Sequence, residues 1–321
     1  MSFQTNSDSE LYTLFKGKML NTGLISEKDE VSFNRIHPIR QNDEIIFHYI
    51  ATIAGTKKKY LIRTIKEKDY SCSVSKYLIN INNTLIDDVF PSAISDPFEI
   101  NNHTYIITTF FDGDDLGVQL SLLTNDELLE ISDKLNDILK ILHSTTINNY
   151  SILNSFESNS FAEIFFNNIK LQCDSKYNIF IDQTKKEKFL VSVYDILSKS
   201  TFSPPTLVHM DIKPANIIFL RNEKRVCLID FELARFSDLD YEWSNILIKT
   251  LHVNDIRFKN YVLNPIIDKN FMKIDRAIQN DKIKVYLLYL SINKYIYNAS
   301  HQRENPRTIS DLAFALINQF Y

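Results

Sequence analysis

The chain has 321 residues and a mass of 37.5 kDa, room for one large or two modest domains. Hydrophobic residues make up 44% and charged residues 24%, which excludes a disordered or collagen-like chain. With 36 basic and 40 acidic side chains the net charge is −4, so no basic face for nucleic acid is implied.

In chain order, polar residues 1–10 precede a helical period through Leu11, Leu14, Phe15 and Met19 that stops near Gly23. Three β-like runs follow. Ile36–Arg40 and Ile45–Ile53 flank the turn Gln41–Glu44, and Tyr60–Ile65 follows the turn Ala54–Thr56. Val74, Tyr77, Leu78 and Ile81 have helical spacing. Tyr105–Phe111 is a continuous β-branched and aromatic run, read as a buried strand that stops at Asp112-Gly113-Asp114-Asp115, with the glycine as a hinge. Past it, Leu128–Leu142 repeats apolar residues at helical spacing, and 159–173 and 185–199 also read as helices. Two short strands, Asn216–Leu220 and Val226–Asp230, enclose the turn Arg221–Lys224, and 241–321 is mostly helical. There is no internal repeat. A β-rich first third and a helical remainder, divided at Gly113, predict two lobes: a helical segment at 1–29, a β-rich lobe at 30–112 and a helical lobe at 113–321.

Cys72, Cys173 and Cys227 are odd in number and form no CxxC pair, so they read as reduced thiols in a cytoplasmic protein. No apolar run is long enough to span a bilayer, and the opening MSFQTNSDSE lacks a signal-peptide layout; no membrane partner is expected. The other histidines (His37, His48, His103, His143, His252, His301) have no metal-ligand spacing, and Trp243 reads as core.

The strongest local signal is Leu207-Val208-His209-Met210-Asp211-Ile212-Lys213-Pro214-Ala215-Asn216, followed by Leu228-Ile229-Asp230-Phe231-Glu232. Asn216 and Asp230 are hard oxygen donors of the kind Mg²⁺ prefers, with room left for water and phosphate oxygens. Asp211 on the same loop is a carboxylate able to accept a proton from a substrate hydroxyl. Lys213 can aim a compact positive charge at a transferring phosphate.

The H-x-D-x-x-x-x-N run with a strand-ending D-F resembles the catalytic and metal loops of the protein-kinase-like fold. The flanking sequence looks most like its small-molecule branch, the aminoglycoside phosphotransferases and choline kinases. Tyr105–Gly113 resembles the branch's hinge, Leu135–His143 its helix ending in Leu-His, and Asp238-Leu239-Asp240-Tyr241-Glu242 its acidic segment after the metal loop. The resemblance spans roughly 36–245. It implies an α+β, bilobal kinase-like fold, with ATP between a small β-rich lobe and a larger helical one. It makes Asp211 the catalytic base, Asn216 and Asp230 the Mg²⁺ ligands, and His209 a brace for the loop. The backbone around Thr109, Phe110 and Phe111 would meet the adenine.

Arg63 stands where this fold places its nucleotide-clamping lysine, with Lys66 as the alternative, and Arg can hold phosphates bidentately. A helix Glu to pair with it has no clear counterpart, although Glu67 and Asp69 lie nearby; nor is there a G-x-G-x-x-G loop. Lys213-Pro214 looks locally like a Ser/Thr protein kinase, but no A-P-E follows, and D-F-E is closer to choline kinases. The implied function is transfer of the ATP γ-phosphoryl to a hydroxyl of a small polar, cationic molecule such as an aminoglycoside-like antibiotic. Glu232, Glu242, Asp115 and the terminal carboxylate of Tyr321 would meet its charge. A choline-type amino-alcohol or sugar kinase is one alternative, and a pseudokinase or protein Ser/Thr kinase is another. The sequence sets neither the acceptor nor the oligomeric state.

Overall fold

The structure is a computed structural model describing residues 6–41, 44–56, 58–65, 89–91, 95–147, 150–152, 156–158, 160–174, 183–253, 255–301 and 307–320. It divides into two compact units: residues 1–115 with 216–232, and residues 116–215 with 233–321. The 216–232 segment, expected with the helical part, thus groups with the β-rich part, and the division falls after Asp115 rather than at Asp112.

The first unit is built on α1 (Asn6–Asn21) and a five-stranded antiparallel sheet. Its strands are β1 (Val31–Gln41), β2 (Glu44–Ile53), β3 (Lys59–Ile65), β4 (Phe98–Ile100) and β5 (His103–Thr109), in the order β1-β2-β3-β5-β4. β1 begins five residues earlier than the apolar run suggests. In Val31-Ser32-Phe33-Asn34-Arg35 only alternate residues are apolar, as suits a strand with one face toward a core. Pro38 cannot donate to a ladder, and it sits on this edge strand beside a register shift between Ile36 and Pro38.

α1 is part of this unit rather than a separate segment. Leu11, Phe15 and Met19 recur every fourth residue and bury against Tyr49, Ala51, Ile62, Tyr105 and Ile107. The Phe15 ring lies 5.2 Å from those of both Tyr49 and Tyr105. The helix ends in paired bonds, Gly23 N–H to Leu20 C=O and Leu24 N–H to Met19 C=O, each 3.0 Å. This termination puts a residue in the left-handed region, and glycine fills it at φ 73° without the Cβ penalty.

The same unit holds the hairpin of β9 (Ile217–Leu220) and β10 (Arg225–Leu228). Phe111 packs with Ile218 and Cys227. Gly113, expected as a hinge, serves close approach instead: a Cβ there would lie 2.6 Å from Leu220 Cδ2 and 3.0 Å from Ile218 Cγ2. The expected helix around 74–81, and Cys72, lie outside the described residues.

In the second unit, α2 (Leu116–Gln119) leads to α3 (Asn125–His143), which opens with a capping box between Thr124 and Glu127. α3 buries Leu128, Ile131, Leu135, Ile138, Leu139 and Leu142, the predicted stripe. A short hairpin, β6 (Tyr150–Ile152) and β7 (Phe156–Ser158), has three-residue strands too brief to leave a period in the sequence. α4 (Phe161–Cys173) and α5 (Gln183–Lys199) follow near the predicted bounds. β8 (Thr206–Val208) pairs antiparallel with β11 (Arg235–Ser237), and α6 (Leu239–His252) begins two residues after β11. The remainder is helical, with α10 (Asp281–Ser300) the longest element after α7 (Ile256–Phe258), α8 (Asn264–Asn270) and α9 (Ile274–Ala277); α11 (Arg307–Ile317) comes last. Phe165 of α4 binds this end together, its ring 5.0 Å from Tyr286 of α10 and 5.2 Å from Tyr241 of α6. Among the described residues no helix is long and apolar enough to cross a membrane.

Candidate active site

The β8–β11 pairing explains how the second unit shapes its site. Val208 ends β8 opposite Arg235, the first residue of β11, and α6 follows the far end of β11, where Ser237 pairs with Thr206. Three α6 side chains at positions i, i+3 and i+7 share one helix face, and they engage that loop in order. Glu242 Oε1 accepts the N–H groups of His209 at 2.8 Å and Met210 at 3.0 Å. Asn245 Nδ2 donates to Met210 C=O at 2.9 Å. Lys249 Nζ donates to Asp211 Oδ1 at 2.9 Å. Together these bonds hold Met210 at φ 65°, a left-handed conformation unfavourable for a side chain with a Cβ.

His209 is buried at 0% exposure and its Nδ1 accepts the Asp211 N–H at 3.2 Å. Glu242, by contrast, does not meet an acceptor. It is 0% exposed, and its Oε2 accepts a short hydrogen bond from His143 Nε2 at the end of α3. Burial pushes its carboxyl up, yet the His143 charge and hydrogen bond, with the Met210 N–H, bring it below the usual range. The sequence reading of Glu242 as a substrate contact is therefore corrected: it is the loop's internal anchor. Trp243 is core as expected, 5% exposed and edge-on to His143.

Asp211 is 18% exposed at its side chain and has an ammonium on each oxygen: Lys213 at 2.6 Å on Oδ2 and Lys249 at 2.9 Å on Oδ1. Burial alone would raise its pKa. The Lys249 charge, the hydrogen bonds from both lysines and the Lys213 charge outweigh that and hold it at about 2. Asp211 is thus an ionised carboxylate, suited to orient a hydroxyl and take its proton late in a transfer. Lys213, expected on a phosphate, here rests on Asp211.

In the first unit, Asn216 immediately precedes β9 while Ile229 and Asp230 immediately follow β10. The register pairs Leu228 with Ile217, and the Ile229 N–H donates to Asn216 C=O at 2.9 Å. Asn216 and Asp230 therefore share one end of the hairpin. Asn216 is 3% exposed, and Asp230 sits at φ 65°. An amide oxygen beside a carboxylate is a donor set that fits Mg²⁺, which keeps waters and phosphate oxygens for its other positions. No cage of three or more His, Cys, Asp or Glu side chains occurs among the described residues.

Arg63 of β3 pairs with Ile106 of β5 in the ladder, and its guanidinium lies 3.8 Å from Glu232. Glu232 is 61% exposed and Arg63 16%, so the carboxylate expected to face an acceptor lies near the cation expected to face phosphate. Along the expected adenine-facing backbone, Thr109 pairs with Tyr60, Phe110 N–H already donates to Lys59 C=O at 3.2 Å, and Phe111 C=O accepts from Gly113 N–H at 3.1 Å. Asp115 bridges Ile218 through its backbone. Lys66, Glu67, Asp69 and Tyr321 lie outside the described residues. His143, Asn245 and Lys249 escaped sequence reasoning. The available signal for the last two was polar residues at i+3 and i+7 from Glu242, on one face of the same helix.

This combination of an antiparallel sheet unit, a largely helical unit and an H-x-D-x-x-x-x-N loop defines a protein-kinase-like phosphotransferase. Residues 90–259, more than half of the chain, match the phosphotransferase enzyme family, and the protein belongs to it. Solved structures agree on the fold. A thermostable mutant of aminoglycoside phosphotransferase APH(4)-Ia, in ternary complex with AMP-PNP and hygromycin B, matches at TM-score 0.58 and 13% identity, covering 96% of both chains. Plasmodium vivax ethanolamine kinase matches at TM-score 0.55 and 16% identity, over 97% of this chain and 88% of that one. Choline kinase LicA from Streptococcus pneumoniae matches at TM-score 0.52 and 12% identity, over 97% and 99% respectively. No curated protein matches it in sequence.

Proposed function

We propose that the protein transfers the γ-phosphoryl group of ATP to a hydroxyl of a small, polar, amine-bearing molecule in the cytoplasm. The observation that carries this reading is Asp211: an ionised, partly buried carboxylate on a loop braced by Glu242, Asn245 and Lys249. Asp211 orients the acceptor hydroxyl and receives its proton. Asn216 and Asp230 hold Mg²⁺, which when bound supplies charge neutralisation at the phosphates. Arg63 adds a bidentate cation for the nucleotide. The amine-bearing acceptor is supported by structural neighbours that bind hygromycin B or are named for choline and ethanolamine. Glu232 is exposed enough to meet such a cation, whereas Glu242 is not.

The test is a panel of aminoglycosides, choline, ethanolamine and neutral sugars incubated with Mg-ATP and followed by ³¹P NMR. A new phosphomonoester signal on an amine-bearing acceptor, together with ADP, is expected. Phosphorylation of neutral sugars alone would remove the amine, and ATP left intact with every acceptor would remove phosphotransfer.

A further inference from the structure

The two oxygens of the Asp211 carboxylate have different partners. Oδ2 meets Lys213, which lies two residues along the same loop and has a side chain 44% exposed. Oδ1 meets Lys249, which projects from the last turn of α6 and has a side chain only 18% exposed. A lysine with a buried stem on a helix has few rotamers to escape to, while an exposed loop lysine can swing at small cost. Glu242 and Asn245, on the same face of α6, fix the backbone that carries Asp211, so the helix sets both the loop and the carboxylate plane.

We propose that Lys249 is a positioning residue for phosphotransfer: it occupies Asp211 Oδ1 permanently, so that Oδ2 receives the acceptor hydroxyl once Lys213 turns away. This rests on the phosphotransfer reading above. In the step, the acceptor oxygen bonds to the γ-phosphorus while the bond from phosphorus to the β,γ-bridging oxygen breaks. That electron pair leaves on ADP, and the hydroxyl proton passes to Oδ2. With Oδ1 tied to a helix, the carboxylate cannot rotate to present the wrong lone pairs, and loss of orientation of this kind lowers turnover more than binding. The charged groups facing Lys249 are Asp211, Lys213 and Glu242. Burial, the largest influence on Lys249, lowers its pKa, and Asp211 opposes that shift.

The experiment compares wild type, Lys249→Met and Lys249→Arg, each with native Asp211 and with Asp211→Asn, in radiolabelled Mg-ATP consumption. The acceptor is the best of the panel, or water if none reacts. Lys249→Met should lower kcat by about 10- to 100-fold with KM for ATP within about twofold, and Lys249→Arg should recover most of the loss. In the Asp211→Asn background the same change should lower the residual rate by less than about twofold, because nothing remains to be oriented. If Lys249→Met does not fold, Lys249→Gln carries the test. Wild-type kcat in Lys249→Met, or an equal loss in both backgrounds, overturns the role and leaves phosphotransfer standing. A wild-type protein that consumes no ATP overturns both.

Discussion

Asp211 stays charged because two ammonium groups outweigh its burial. Its folded pKa of about 2 lies below the ordinary aspartate value, so the stability it contributes is fully present above that ordinary value. It is lost as pH falls from about 4 through 2. In urea unfolding, the stability advantage of wild type over Asp211→Asn should shrink by about 2 kcal/mol between pH 5 and pH 2. An unchanged difference would mean that the lysine pairs do not persist in solution. Glu242 is the more demanding site. Glu242→Gln removes the charge facing His143 and turns one acceptor atom into a donor, so a loss of about 3 kcal/mol in stability is expected. At the hairpin end, Asp230→Ala should abolish the Mg²⁺ dependence of ATP binding in calorimetry, while Asn216→Ala weakens it, since water replaces a neutral ligand more readily than a carboxylate. Unaltered Mg-ATP affinity in Asp230→Ala would remove that residue from the metal site.

Among the elements, α1 ties the amino-terminal residues to the sheet through Phe15 and Met19, both at 0% exposure. Phe15→Ala leaves a cavity among Tyr49, Phe98 and Tyr105, and should cost about 3–4 kcal/mol in unfolding free energy without altering the α6 contacts to Asp211. A cost under about 1 kcal/mol would show that α1 is dispensable to the unit. The apolar period of α1 was legible because Leu11, Phe15 and Met19 recur every fourth residue, but what that stripe covers was not, since its sheet partners lie 30 to 96 residues away in sequence. The long helices and the strands β2, β3 and β5 were legible for the same local reason. β4, β6 and β7 are three residues each and leave no pattern.

At the scale of the molecule, the loops proposed for catalysis and metal binding stood out because their candidate residues sit within short runs, 209–216 and 228–232. The division of those runs was not: Asp211 belongs to the second unit, while Asn216 and Asp230 belong to the first. Roles that depend on a third element were missed for the same reason. Glu242 resembles an exposed acidic position until α3 supplies His143, and Lys249 is one lysine among many until α6 carries it to Asp211. The measurement bearing most directly on the account is single-turnover transfer of labelled γ-phosphate from Mg-ATP by wild type and Asp211→Asn, with ATP affinity measured on the same samples. A fall of about 10²- to 10⁴-fold in the transfer rate, with affinity unchanged, is the predicted result. Equal rates in the two proteins would contradict it.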